Sequence, residues 1–238
     1  MRTEDYAKLF WEVGYVMLED FFPTALMDQL NNSILSHYGT TPEFQHTEEF
    51  LSTAKVEVIP WFPQNEGPSD FDLIDANEKL QSLTEAILGE NWNRQYCMVM
   101  FSRKGTKGQS WHQDCPPEDI SKFNMNRLVY TMDITPEIGG QTVVVPGSHK
   151  RGILPAGQPD SDMSDQVVLT PSKGTLILLH GHCWHRVLPV TGSYRVSTNY
   201  RSAPAGTPED MTDVCVYRNM RYRFSTSEII EERKSEES

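Results

Sequence analysis

The stretch "GTLILLHGHCWHRVLPVTGSYRVSTNYR", residues 174–201, decides how the chain folds. It holds three short runs, "TLILLH" (175–180), "WHRVLPV" (184–190) and "RVSTNYR" (195–201), parted by Gly and Pro at intervals too short for helices. Runs of this length bounded by turn residues read as β-strands. The same grammar extends upstream through "QYCMVMF" (95–101), "NRLVYTMDI" (126–134), "TVVVP" (142–146) and "VVLT" (167–170). Seven such segments with turn-rich joints predict a sandwich or open barrel. The lack of long helices between them argues against a parallel doubly wound sheet.

The N-terminal part is patterned differently. Residues 4–12 and 23–37 read as helices, the second because Leu26, Leu30, Ile34 and Tyr38 recur every four residues behind Pro23 and Thr24. Residues 76–88 place Leu80, Leu83 and Ile87 on one side of a third helix that stops at Gly89. Between them, residues 39–75 hold one strand-like run, "KVEVI", before "PWFPQNEGPSD", which reads as an extended loop. A polar loop, "GILPAGQPDSDMSDQ" (152–166), is expected to border a mouth. The expected organisation is mainly β and a single domain over residues 1–230. A helical layer (mainly 1–90) precedes a β core (about 95–201), and a charged tail, "EERKSEES" (231–238), follows.

Composition narrows the function. A net charge of −12 disfavours a nucleic-acid backbone or an anionic membrane surface as partner, since both select positive patches. The start of the chain carries Glu4 and Asp5 and no apolar run, unlike a signal or transit peptide. No segment approaches the roughly 18–20 apolar residues that cross a bilayer. Four cysteines, Cys97, Cys115, Cys183 and Cys215, lack the density of a disulfide scaffold, so a reducing cytoplasm is the expected setting.

Residues two apart in a strand share a face, so His112 and Asp114 of "WHQD" can converge on one ion while Gln113 and Cys115 turn away. Such a pair is common by chance. Downstream, however, His180, His182 and His185 could each supply a further nitrogen from a neighbouring strand. Two histidines and a carboxylate leave adjacent positions open on Fe(II) for a bidentate cosubstrate and O₂. Zinc competes: with the same residues it would make a hydrolytic site, which Cys115 or Cys183 could join. A non-catalytic cupin-like binding protein is the third reading.

Three ordered motifs, "WHQD" (111–114), "TPEIGGQTVVVPGSHKRG" (135–152) and "GTLILLHGHCWHRVLPVTGSYR" (174–195), resemble the phytanoyl-CoA dioxygenase (PhyH) family of Fe(II)/2-oxoglutarate-dependent oxygenases. The resemblance implies a double-stranded β-helix (jelly-roll, cupin-like) core with N-terminal helices packed against it. It implies iron ligands His112, Asp114 and His185, with His180 and His182 outside the set. It also implies Arg195 on the remote carboxylate of 2-oxoglutarate, and Gln95 and Thr142 as lesser cosubstrate contacts. A guanidinium can grip a carboxylate through two parallel hydrogen bonds, but spacing alone does not choose among Arg186, Arg195 and Arg201. "VPGSH" (145–149) reads as a structural turn, which excludes His149 from the ligands.

The activity implied is oxidation, foremost hydroxylation, of an unactivated C–H bond of a small molecule in specialised natural-product biosynthesis, with 2-oxoglutarate decarboxylated to succinate and CO₂. Desaturation, epimerisation, cyclisation and endoperoxide formation share the same metal core. Halogenation is disfavoured, because related halogenases leave the position of Asp114 to halide. Trp61 and Phe62, in the long loop, and Arg127, on a strand, are the candidate substrate contacts, with a salt bridge as the alternative for Arg127. A homodimer, with a loop covering the neighbour's site, is compatible with the sequence.

Overall fold

The computed structural model describes residues 2–40, 59–218, 220–223 and 232–234. Helices α1 (Thr3–Val13), α2 (Thr24–Thr40), the one-turn α3 (Asp72–Asp75) and α4 (Glu78–Leu88) form a layer on one side. The strands are β1 (Tyr15–Leu18), β2 (Ile59–Trp61), β3 (Asn93–Arg103), β4 (Gln109–Gln113), β5 (Met125–Val129), β6 (Thr142–Val144) and β7 (Val167–Val168). They continue with β8 (Leu176–His180), β9 (His185–Val187), β10 (Tyr194–Ala203), β11 (Val214–Tyr217), β12 (Met220–Arg223) and β13 (Glu232–Lys234). Two sheets result, ordered β1-β8-β5-β10-β3-β2 and β13-β12-β11-β4-β9-β6-β7, and every named strand pairing is antiparallel.

Local chemistry sets the helix ends. Gly14 takes the left-handed conformation (φ 90°) that stops α1, and its N–H bonds to Phe10 O. The Asn77 side chain accepts the Leu80 N–H to open α4. Phe10, Leu80, Leu83 and Ile87 then pack on Val99, Leu176, Leu178, Val196 and Tyr200 of the first sheet. The opposite face of that sheet carries Leu128, Tyr130, Ile177 and Leu179, which meet Val144 of the second sheet. A third cluster, containing Trp111, Val143, Val145 and Trp184, covers the far side of the second sheet.

Strand β10, between β3 and β5, positions the site. Val196 and Tyr200 belong to the helix-side core, so alternation turns Arg195, Ser197, Asn199 and Arg201 into the space between the sheets.

The structure departs from expectation in three places. Residues 15–18 form β1 and pair with β8, although the run "YVML" is too short to stand out beside α1. Strands β11 to β13 extend the second sheet past residue 201. The 152–166 loop lies behind the second sheet rather than at a mouth: Trp111 Nε1 donates to Ser161 O (2.8 Å) and Gln113 Nε2 to Gly152 O (3.1 Å). Both residues face away from His112 by strand alternation, so the loop covers the wrong side for a lid. Of "KVEVI" only Ile59 falls among the described residues, and most of the charged tail lies outside them. Among the described residues no helix is long and apolar enough to cross a membrane. All four cysteines are free and buried.

Candidate metal centre and cosubstrate pocket

His112 on β4 and His185 on β9 are direct cross-strand partners. Their ring centroids stand 4.0 Å apart. Each ring is held by the carbonyl two residues before it: His112 Nδ1 lies 2.9 Å from Ser110 O, and His185 Nδ1 lies 2.8 Å from Cys183 O. A carbonyl only accepts, so each Nδ1 carries the proton and each Nε2 presents its lone pair. Both Nε2 atoms face Asp114, at 3.7 Å from Oδ1 for His112 and 3.3 Å from Oδ2 for His185. Among the described residues these are the one group of three His, Cys, Asp or Glu whose ligand atoms all lie within 4.8 Å of one another, and all three are buried.

The electrostatics suit a cation. Burial, reinforced by His185, pushes His112 down to about 3, which leaves the imidazole neutral. Burial opposes ionisation of Asp114, but the Arg201 guanidinium is the foremost influence against it, and the carboxyl is held well below its usual range. Two imidazoles that present Nε2 and one carboxylate are a donor set that fits Fe(II) with open positions. The sulfur donors of the zinc reading stand elsewhere. Cys115 belongs to the helix-side core and Cys183 Sγ points to Val145 O; Cys215, outside that reading, donates its thiol to Asp114 Oδ1 at 3.9 Å.

The other end of the space between the sheets holds Arg195, 3% exposed. Its Nε donates to Gly140 O (3.1 Å), and Tyr130, whose hydroxyl lies 3.3 Å from Thr142 Oγ1, is its titratable neighbour. The Gly-Gly turn makes this placement feasible. Gly140 has φ +68°, and a Cβ there would stand 2.8 Å from Arg195 Cγ. Ser110 Oγ, Ser197 Oγ and Asn199 Oδ1 are buried without a hydrogen-bond partner among the described residues. Orphaned polar atoms on the inner faces of β4 and β10, with a guanidinium that meets no carboxylate among the described residues, fit a small polar anion such as 2-oxoglutarate.

The remaining predicted residues divide. Thr142 joins the Arg195 end. Gln95 does not: its Nε2 donates to Thr212 Oγ1 (3.0 Å), near the Tyr96–Arg201 pair and far along β3 from Ser102, the partner of Arg195. Arg127 faces the helical layer, where its Nη2 pairs with Asp75 Oδ1 (2.9 Å) and its Nε donates to Tyr200 O (3.0 Å). Asn126 points to Asp114, so its neighbour on β5 must point away; Arg127 is a structural ion pair on the opposite face of the sheet. Trp61 also lies on the helix side, stacked on His37 at 3.8 Å with Nε1 donating to Glu66 (2.7 Å). Phe62 turns the other way and meets Tyr96 edge-on at 5.7 Å.

Of the three arginines that spacing could not separate, Arg186 binds Asp160 O and Asp162 behind the second sheet, while Arg195 and Arg201 face inward. Sequence reasoning missed Arg201, Asn126, Tyr130 and Tyr217. Arg201 Nη2 and Asn126 Nδ2 bond the two oxygens of Asp114 at 3.0 and 2.6 Å. Tyr217 lies over the His112 ring at 5.3 Å. The signal for Arg201 was its even spacing from Arg195; nothing in the sequence ties Tyr217 to His112.

The Phytanoyl-CoA dioxygenase (PhyH) family model matches residues 10–196. HygX from Streptomyces hygroscopicus, solved with nickel and 2-oxoglutarate bound, superposes with a TM-score of 0.67 at 14% identity, over 87% of this chain and 88% of that one. The non-heme alpha ketoglutarate dependent epimerase SnoN from nogalamycin biosynthesis gives 0.68 at 15% identity, over 91% and 85%. The same epimerase with Fe3+, alpha ketoglutarate and nogalamycin RO gives 0.65 at 14%, over 91% and 86%. These likenesses establish the double-stranded β-helix fold. No curated protein sequence matches the chain. With the family match spanning most of its length, the chain belongs to the phytanoyl-CoA dioxygenase (PhyH) family and is a non-haem Fe(II)/2-oxoglutarate-dependent enzyme.

Proposed function

We propose that this enzyme hydroxylates an unactivated C–H bond of a small molecule in specialised natural-product biosynthesis, consuming 2-oxoglutarate and O₂ and releasing succinate and CO₂. The observation that carries the reading is the pairing of a buried His-Asp-His group with a buried Arg195 that meets no acid among the described residues, both facing the space between the sheets. His112, Asp114 and His185 would hold the iron, which with 2-oxoglutarate and O₂ supplies the oxidising power for C–H cleavage.

The chain's own groups orient the partners. Gly140 O occupies the Arg195 Nε, leaving the two Nη groups for the remote carboxylate. Tyr130 and Thr142 flank that contact, and Ser110, Ser197 and Asn199 offer hydrogen bonds between the two ends. Phe62 and Tyr96 offer an aromatic flank for the substrate, and burial keeps bulk water from the reacting atoms. A carboxylate at position 114 would fill the ligand position that related halogenases leave to halide.

The likeness to an enzyme of nogalamycin biosynthesis and to HygX, also solved with hygromycin B bound, supports a natural-product substrate. Four buried free thiols support a reducing cytoplasm. Likeness to an epimerase makes epimerisation the second reading, which leaves the product mass unchanged where hydroxylation adds an oxygen.

Anaerobic addition of Fe(II) and 2-oxoglutarate should give the weak visible charge-transfer band of a chelated iron site. Small natural products should then be screened for succinate release that disappears in His112→Ala and Asp114→Ala while the fold survives. Tightly retained zinc without the band would sink the reading, as would succinate release unchanged by those substitutions.

A further inference from the structure

Asp114 is held more tightly than a metal ligand alone requires. Its backbone N–H donates to Gly181 O (2.8 Å) and its carbonyl accepts from Asn124 Nδ2 (3.0 Å), which fixes the main chain. Its carboxylate is then gripped from both sides, Oδ1 by Arg201 Nη2 at 3.0 Å and Oδ2 by Asn126 Nδ2 at 2.6 Å.

The grip is itself braced. Arg201 spends its other donors on Asn126 Oδ1 (Nε, 3.1 Å) and Thr212 O (Nη1, 3.1 Å), and its guanidinium lies over the Tyr96 ring at 5.4 Å. Asn126 Oδ1 also accepts from Asn199 Nδ2 (2.8 Å). With two donors on its oxygen, the Asn126 amide has one sensible orientation, which aims its NH₂ at Asp114. Every member of this network is buried, and charged hydrogen bonds shared among buried groups make it stiff.

We infer that Arg201, acting with Asn126, is a positioning residue that fixes Asp114 as a one-oxygen metal ligand. Each carboxylate oxygen already spends a lone pair on the clamp. Oδ1 accepts from Cys215 Sγ (3.9 Å) as well as from Arg201, so chelation through both oxygens would displace one of these two donors, and rotation about Cβ–Cγ would break the charged hydrogen bonds. The clamp therefore reserves one coordination position that a two-oxygen carboxylate would fill, on the side where cosubstrate and O₂ must both fit. Arg201 and Thr212 lie beyond residues 10–196, so the support comes from chain past the family match. Arg201 is tied into this network through all three of its nitrogens.

The inference rests on the metal reading of His112, Asp114 and His185, and the test separates the two. Co(II) is titrated into the metal-free full chain, with affinity and the d–d absorption spectrum as readouts. Arg201→Lys keeps the charge but loses the fork. Asn126→Ala removes the Oδ2 bond and leaves the Arg201 charge in place, so it decides the matter alone if Arg201→Lys fails to fold. Each variant should bind Co(II) about 10- to 100-fold more weakly, with an altered d–d intensity that reports a changed coordination number. Affinity within about twofold of the unmodified chain and an unchanged spectrum in the folded variants would overturn the clamp alone. Failure of the unmodified chain to bind Co(II), or a His112→Ala variant that titrates identically, would overturn the triad on which it rests.

Discussion

Replacing Arg127 by Met tests whether this arginine serves the fold or the substrate. Its side chain is fully buried and joins three parts of the molecule: Asp75 after the long loop, the Tyr200 carbonyl on β10, and the Trp92 ring, 5.1 Å from the guanidinium. Removing one partner of a buried ion pair costs about 3–5 kcal/mol, chiefly because the other charge is left uncompensated. Asp75 Oδ2 retains Gln64 Nε2 at 3.1 Å and the half-exposed Arg94 at 3.4 Å, so the lower end applies, about 3 kcal/mol. For a chain of this size that lowers Tm by roughly 6–12 °C. Urea unfolding should show a lower midpoint at unchanged slope, while kcat/KM per folded molecule stays within about twofold. Adding Asp75→Asn should recover part of the loss, since the uncompensated charge is then gone. A variant with an unshifted midpoint and a raised substrate KM would refute the argument and return Arg127 to the active site.

Arg195→Met should weaken 2-oxoglutarate binding about 100-fold, the loss of roughly 3 kcal/mol of charged hydrogen bonding, read from the KM for 2-oxoglutarate or from the visible band. Gly140→Ala should shift the same quantity in the same direction while the metal affinity holds, because the added Cβ would strike the Arg195 stem; an unchanged 2-oxoglutarate KM would argue against the assigned pocket. His182 is buried and pushed down to about 4, chiefly by that burial. The unfolded chain therefore takes up its proton first, and the His182 contribution, present above about pH 6.5, is lost as pH falls to about 4, up to about 3 kcal/mol. Urea midpoints across this window should fall, and fall less in His182→Gln; a flat profile would contradict the burial argument. Cys115→Ala should leave Co(II) affinity within about twofold, since the thiol lies in the helix-side core, and a large loss would make it a metal neighbour after all.

Strand alternation made the site partly legible. It explains why His112 and Asp114 converge and why Cys115 does not. The same rule could not be applied to β5, because all five of its residues are buried. A strand covered on both faces shows no polar and apolar alternation, so nothing in "NRLVY" says whether Asn126 or Arg127 looks inward. That ambiguity hid Asn126 and promoted Arg127. The helices were clearer, since the stripes of Leu30 and Ile34 and of Leu80, Leu83 and Ile87 each face one core. Arg201 was overlooked because an arginine on a strand reads as a surface residue until its partner is known, and Asp114 is 87 positions away. The choice of His185 over His180 and His182 came from the family pattern. In the structure, His180 stacks on Phe123 at 4.1 Å on the helical side, away from Asp114.

Strand β10 carries both Arg195, proposed to hold 2-oxoglutarate, and the guanidinium that braces Asp114, and this quantises the spacing between them. Inserting one residue between Arg195 and Arg201 would swing one of these cations into the apolar helical layer. Only insertions or deletions in pairs keep both inside, and each pair changes the separation by about 7 Å. A single methylene in a dicarboxylic acid is far smaller than that step. The length of acid this enzyme accepts is thus insulated from gradual change along the strand, and evolution must tune it through side chains such as Tyr130 and Thr142 rather than through the backbone.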